Sequence, residues 1–433
     1  MILVYFRKYR VVHLTLLFMI LVRVTSGSEL SSDITSNDDR DFCPQLSAPT
    51  GKTFVVDSVE QLKRVLSAAS PSTTIMLVDG IYNLNGYCLI MKIPNLTLRS
   101  QSGNRDAVVL DGNYKSGEII QIAASNVTIA DITIARAYNH PVHVYTANNG
   151  NTMHTKIYNI RIIDPGQQAI KINPSSTYFP DNGEIACSHI ELTDAGRTKI
   201  RDNCYTGGID AHRAGEWLVR DNLIEGFWCE KGISEHAIHF WGSSNNTVVE
   251  RNRLVNNTRG VGFGMSTSGT KRIPLHNNCS DTGDYVDHFG GVIRNNFISA
   301  ISLKLFNSEY GFDSGVSLWQ ACNSKVLHNT VYSLKPNKTY SSIEWRFPAT
   351  NAVVTNNLTN VKMVERNGAK AILSGNIENA PSTWFVNAST GDFHLAEKAA
   401  PAVGRAKTPL EVTDDIDGNL RHKFSDVGAD QLK

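Results

Sequence analysis

Apolar residues along this chain recur in two alternating patterns. In the first, two apolar positions are followed by a polar bend and one or two further apolar positions. Copies read VTIADITI (127–134), TKIYNIRI (155–162), LVRDNLI (218–224), TVVERNRL (247–254), GVIRNNFI (291–298), KVLHNTV (325–331) and AVVTNNL (352–358). Asn222, Asn252, Asn296, Asn329 and Asn356 fall at the bend, and Asn suits a corner because it tolerates left-handed backbone and bonds to neighbouring main chain. The second pattern is a shorter strand, found at 119–123, 142–145, 170–173, 209–213, 238–241, 261–264, 316–319 and 343–347. Recurrence every ~25–45 residues without intervening helices predicts an all-β parallel solenoid, each turn burying its apolar positions in a shared core.

Stacking turns these short strands into columns. Aligned on Ile120, Val142, Ile170, Ile209, Ile238, Val261, Val316 and Ile343, they present two outward series. One reads Gln121, His143, Lys171, Asp210, His239, Gly262, Ser317, Glu344, and the other Ala123, Tyr145, Asn173, His212, Trp241, Gly264, Trp319, Arg346. Neighbours in a column should stand about 4.8 Å apart and the two columns about 7 Å apart. A polar face can be plain solvated surface. Here His, Tyr, Trp and Arg stand where small polar residues are usual, and Gly262 with Gly264 should leave a gap beside them. Insertions at 193–208, 225–236, 265–290 and 299–314 border the same sheet, so a groove is expected there.

A net charge of +1 over 433 residues gives no sign of a nucleic-acid binder. Arg7, Lys8 and Arg10 precede an apolar run from Val11 to Val22, and small residues follow from Thr25 to Gly27. That is the layout of a cleaved secretory signal at 1–27, too short to span a bilayer and leaving no membrane attachment; a polar segment follows at 28–52. The seven cysteines fit no zinc spacing and are expected in disulfides, with at least one thiol left over. Asn-x-Ser/Thr sequons occur at Asn95, Asn126, Asn245, Asn256, Asn278, Asn337, Asn357 and Asn387.

The stretch VDSVEQLKRVLSAASPSTTIMLVDGIYNL (56–84), the repeats, and the ending DIDGNLRHKFSDVGAD (415–430) resemble secreted proteins of the pectate-lyase-like superfamily, closest to its alginate and chondroitin lyase branch. The resemblance implies a right-handed parallel β-helix over 53–380 with a short N-terminal capping helix, closed by 381–433 of the same domain. That branch pairs a catalytic Lys with an Arg one turn later, and many members add a calcium held by Asn and Glu. Lys171 and Arg213 match the pair. No Asn/Glu cluster accompanies them, and DTGDYVD (281–287) reads as a solvated loop, so no cofactor is required and calcium, though allowed by the resemblance, has no support here.

Asp210 and Glu344 are four turns apart, roughly 19 Å by stacking, too far for the carboxylate pair of a glycosidase; Glu235, Asp202 or Asp313 could still partner Asp210 from a loop. A lyase acting on a uronic acid needs a cation for the carboxylate, a base for the C5 proton and an acid for the leaving oxygen. Lys171, Asp210, His212, Arg213 and His239 are therefore the candidate catalytic group. His143, Tyr145, Asn173, Trp241, Trp319, Glu344 and Arg346 are candidate substrate contacts, the tryptophans as stacking faces. The expected function is β-elimination on an acidic polysaccharide by a secreted monomer. The alternatives are a non-catalytic glycan-binding or matrix protein and, third, a glycoside hydrolase.

Overall fold

The computed structural model describes residues 43–147, 150–201, 203–272 and 285–432. The expected leader, Asp202, Asn278 and the first four residues of DTGDYVD lie outside them. Three long parallel sheets run the length of a right-handed β-helix. Each turn contributes one strand per sheet, and the bent pattern of the sequence is two of these strands joined at a corner. In the turn at 128–145, for example, Thr128–Ala130 and Thr133–Ala135 flank the corner and Val142–Tyr145 follows in the third sheet. Inward positions stack like on like: Ile129, Ile157, Ile185, Val219, Val249 and Ile293 are in register and fully buried. Each such side chain contributes about 1.5–3 kcal/mol by burial.

The N-terminal end is covered by helix α1 (Val59–Ser67), whose Leu62 and Leu66 enter the core. Ser58 caps it by accepting from the Gln61 amide, while the Gln61 side chain accepts from the Asp57 amide, a reciprocal arrangement that fixes the helix start. Two further short helices, α2 (Asp194–Arg197) and α3 (Leu303–Asn307), stand in the insertions, where no helix was expected.

Four of the five expected corners lie one residue earlier than expected, and the fifth, Asn356, lies where it was expected. The left-handed backbone falls on Asp221, Arg251, Asn295, His328 and Asn356. The residue after each one instead points into the protein and forms a ladder. Asn222, Asn252, Asn296, Asn329, Asn357 and Asn376 donate side chain to side chain in that order at 2.9–3.0 Å. Each amide also bonds backbone within its own or the neighbouring turn, as Asn296 does with the Val249 and Arg294 carbonyls. The ladder satisfies buried corner amides that no strand partner reaches. Asn356 is thus the corner residue, and Asn357, expected as a glycan acceptor, is fully buried in the ladder. Asn95, Asn126, Asn337 and Asn387 are exposed, whereas Asn245 and Asn256 are half-buried.

Residues from Ala380 onward fold back along the outer face of the second sheet, the one that holds Thr133–Ala135. Phe385, Phe393, Leu395 and Ile416 pack there against Phe297, Tyr332 and Leu358. Polar ties hold this segment down: Arg251 to Asp414 at 2.8 Å, Arg253 to Asp417 at 3.0 Å, and His394 Nε2 to Asp417 at 2.7 Å. Disulfides join Cys43 to Cys187 and Cys204 to Cys229; Cys322 is also disulfide-bonded, and Cys88 is a free thiol.

Two outcomes follow from these contacts. Asn296→Ala orphans buried partners on two neighbouring turns and should destabilise by at least ~1–3 kcal/mol, whereas exposed Asn337→Ala should stay within ~0.5 kcal/mol; denaturant midpoints separate the two. Burial pulls the His394 imidazole down, but its hydrogen bond to Asp417 and the charges of Asp417 and Asp430 prevail and raise it to about 9. Its folded-state value therefore exceeds the unfolded 6.5. Its contribution is full below 6.5 and lost as pH rises through about 9. Melting temperature should fall across that window in the native protein and less so in His394→Gln; equal slopes would show that the tie is not coupled to folding.

Candidate functional site

The eight short strands pair in one sheet in sequence order, together with Leu89–Met91 before them and Val364–Arg366 after. The register is the one the alternation requires: His143 beside Lys171, Lys171 beside Asp210, Asp210 beside His239, His239 beside Gly262. His212 stands beside Trp241 in the second column. The first column is enclosed from Lys171 onward: Lys171 is 6 %, Asp210 2 %, His239 0 % and Glu344 2 % exposed, whereas Tyr145, Asn173, His212, Trp241 and Arg346 of the second column stay half-buried.

At its centre is a buried ion pair. Lys171 Nζ donates to Asp210 Oδ2 and also to the Tyr205 hydroxyl at 3.1 Å. Trp241 Nε1 donates to the other carboxylate oxygen, Asp210 Oδ1, at 2.7 Å. Burial alone would raise the Asp210 carboxyl; the His212 hydrogen bond and the charges of Lys171, His212 and His239 overcome it and hold Asp210 well below the ordinary carboxylate range. Burial likewise pulls Lys171 down, and the charge and hydrogen bond of Asp210 reverse it and raise it. Both partners are therefore ionised, and each is the other's compensation for leaving water.

His212 is different because it is partly open to solvent, with 25 % of its side chain exposed. Its Nε2 lies 3.0 Å from Lys171 Nζ and 3.3 Å from Asp210 Oδ2. An ammonium can only donate and a carboxylate can only accept. One ring nitrogen therefore faces a group that stabilises its neutral form and a group that stabilises its protonated form. The ring also packs on Trp241, with centroids 4.2 Å apart. Tyr205, half-buried, flanks the same ammonium from an insertion. Strand alternation could not have found it. The available signal was its neighbour Cys204, whose disulfide to Cys229 ties two insertions together beside the sheet.

Other expected residues are placed elsewhere or engaged otherwise. His239 was expected at an open outward position; it is fully enclosed, donating from Nε2 to Gly264 O (3.2 Å) and lying 3.3 Å from Glu235 Oε2 through Nδ1. Trp319, expected as an open stacking face, is 7 % exposed and donates to Glu344 Oε1 at 2.6 Å. Glu344 is raised by burial, partly offset by Arg366 and by the Trp319 bond. Arg346 lies over the Trp319 and Phe347 rings and donates to Asn367. Gly262 opens no gap to solvent: the His236 ring fills the space, 2.8 Å from where a Cβ would stand. At Gly264 a Cβ would strike the Trp319 carbonyl.

Farther up the sheet, His143 bridges Glu118 (2.8 Å) and Asn173 (3.1 Å), with Tyr145 packed on its ring at 5.3 Å. All four are half-buried, and His143 and Tyr145 stand one turn from Lys171 and Asn173. Arg213 turns the chain at the strand end with φ of 46°. Asp313 is paired with Arg259 at 2.8 Å, which removes it as a partner for Asp210. In the loop read as solvated, Asp287 is instead a buried staple, accepting from the Ser243, Met265 and Ser266 amides and the Tyr285 hydroxyl. A cavity of about 840 Å³ lies away from the Lys171 cluster, between α2 and α3, lined by Arg197, Trp228, Glu230, Lys231, Lys304 and neighbours.

The fold and this site place the chain among the right-handed parallel β-helix proteins, with a buried Lys–Asp pair and a half-open His on one sheet. No family model and no curated protein matches the sequence. Among solved structures it is similar to an alginate lyase from Paenibacillus sp. str. FPU-7, at 14% identity and a TM-score of 0.49, over 76% of this chain and 99% of that one. It is also similar to the pectate lyase Pel9A (10%, 0.46, over 86% and 90%). A polygalacturonase from Erwinia carotovora ssp. carotovora matches at 10% and 0.40, over 78% and 98%.

Breaking the ion pair from one side should be more costly than removing both charges. Lys171→Met or Asp210→Asn alone should cost roughly 3–5 kcal/mol, and the double variant clearly less than their sum. Unfolding free energies of the four proteins measure the coupling; strict additivity would mean the pair is not formed.

Proposed function

We propose that the protein is a secreted carbohydrate-active β-helix enzyme that cleaves an acidic, uronic-acid-containing polysaccharide by β-elimination. The observation that carries this reading is the placement of His212 Nε2 between Lys171 and Asp210 on a partly open edge. An imidazole so placed can take a proton and return it, because either charge state finds a partner already in position. In this reading the Lys171 ammonium offsets the uronate carboxylate as the C5 carbanion develops, and His212 takes the C5 proton. Tyr205, whose hydroxyl already contacts Lys171, returns a proton to the leaving oxygen. Trp241 and the His143–Tyr145–Asn173 patch supply contact to neighbouring sugars. An alginate lyase and a pectate lyase are among the similar structures. The disulfides fit an oxidising compartment.

Hydrolysis fits the geometry less well. Asp210 and Glu235 both approach His239, at 4.0 and 3.3 Å. Yet both Asp210 oxygens are taken, one by Trp241 and the other by Lys171 and His212, so Asp210 is not free to act as the acid or the nucleophile of such a pair.

The test is incubation with a panel of uronic polysaccharides, read for 4,5-unsaturated ends and for reducing ends. New unsaturated ends are expected; reducing ends alone would make the protein a hydrolase, and binding with neither a lectin-like one. His212→Ala and Tyr205→Phe should each lower turnover by about 10²–10⁴ with little change in melting temperature, since both side chains are partly exposed. Normal turnover in both would remove them from the mechanism. His239→Ala, from a fully buried position, should instead lose stability.

A further inference from the structure

Beneath Trp241 the structure holds a second cluster that the proposed elimination does not use. Glu235, His236 and His239 each present a donor atom, and these atoms lie within 4.8 Å of one another. His236 and His239 are 0 % exposed. Among the described residues, neither ring nitrogen of His236 has a hydrogen-bond partner, and His239 Nδ1 and Glu235 Oε2 face each other at 3.3 Å without a well-aligned hydrogen bond. A neutral imidazole carries one N–H and one lone pair, so His236 leaves both unsatisfied in a dry site. Buried polar groups in folded proteins are rarely left so, and an orphaned group of this kind points to an unseen ligand.

The surrounding contacts prepare these atoms for a cation. His239 Nε2 faces the Gly264 carbonyl at 3.2 Å. A carbonyl only accepts, so Nε2 carries the proton and Nδ1 presents its lone pair toward Glu235. A backbone carbonyl fixing the far nitrogen is how metal-bound histidines are commonly oriented. His236 can reach its place only because Gly262 lacks a Cβ, which would stand 2.8 Å from the ring. The imidazole planes of His236 and His239 lie 4.4 Å apart between centroids. Glu235 is 22 % exposed along its side chain and marks the way in.

We infer that Glu235, His236 and His239 form a binding site for a divalent transition-metal ion of the zinc type. Two imidazoles and one carboxylate are the donors that such ions select, whereas calcium takes oxygen ligands almost exclusively. Tetrahedral bonds of ~2.0–2.1 Å imply donors on the order of 3.3 Å apart, a spacing that modest side-chain rotation reaches from the one observed. A bound ion would fix His239, whose ring stacks on Trp241 at 5.7 Å, and through Trp241 the carboxylate of Asp210. The inference does not depend on the elimination chemistry.

The experiment strips the purified, disulfide-intact protein with a chelator and adds Zn²⁺, Co²⁺ or Ca²⁺ separately. Bound metal is measured by elemental analysis after desalting, together with the melting temperature and the Co²⁺ absorption spectrum. Zn²⁺ should be retained and raise the melting temperature by mass action, Co²⁺ should give the intense visible bands of a low-coordinate site, and Ca²⁺ should do neither. Glu235→Gln and His236→Gln should each weaken Zn²⁺ binding by at least ~100-fold, more than the loss of an outer partner costs. Should His236→Gln fail to fold, Glu235→Gln, changed at a partly exposed side chain, decides alone. Equal Zn²⁺ binding by the native protein and a folded Glu235→Gln variant, no Zn²⁺ retention, or a response to Ca²⁺ only would overturn the assignment.

Discussion

Everything in this molecule depends on the in-register hydrogen bonding of parallel strands from one turn to the next. That constraint converts a sequence separation of some thirty residues into a contact about 4.8 Å long. It stacks isoleucine on isoleucine inside, asparagine on asparagine at the corners, and Lys171 on Asp210 on His239 outside. A slip of one residue in any strand would turn the apolar series out and the charged series in. The register that builds the core therefore also assembles the site.

The same constraint explains what the sequence made legible. Alternation alone identifies the eight strands of the site sheet and their order, and so brings Lys171, Asp210 and His212 to one place. Corners were legible only to within a residue. At Asn356–Asn357 both residues are Asn, and nothing in the pattern distinguishes the one that bends the chain from the one that joins the ladder. Burial of the outer face was not legible, because it comes from insertions whose path no periodicity describes. Trp319 shows a second cause: its column position was right, but long side chains of the neighbouring strands, Glu344, Arg259 and Arg346, enclose it. Tyr205 was missed because an insertion contributes it.

Enclosure also changes the meaning of the charges. An exposed Lys–Asp pair contributes little. Beneath the insertions each ion needs the other, and the requirement extends to Trp241, Tyr205 and His212, which saturate the remaining positions around them. His212, Tyr205 and Trp241 reach the surface from this set. The buried members thus set the field, and the half-open members meet whatever binds.

The central claim is that this open edge, and not the cavity between α2 and α3, receives an acidic sugar. The most direct measurement is a crystal structure of the His212→Ala protein with a uronic oligosaccharide bound. The account predicts a uronate carboxylate against Lys171 Nζ, with C5 facing the space left by the imidazole. A sugar seated among Arg197, Trp228 and Lys304, with Lys171 and Asp210 untouched, would contradict it.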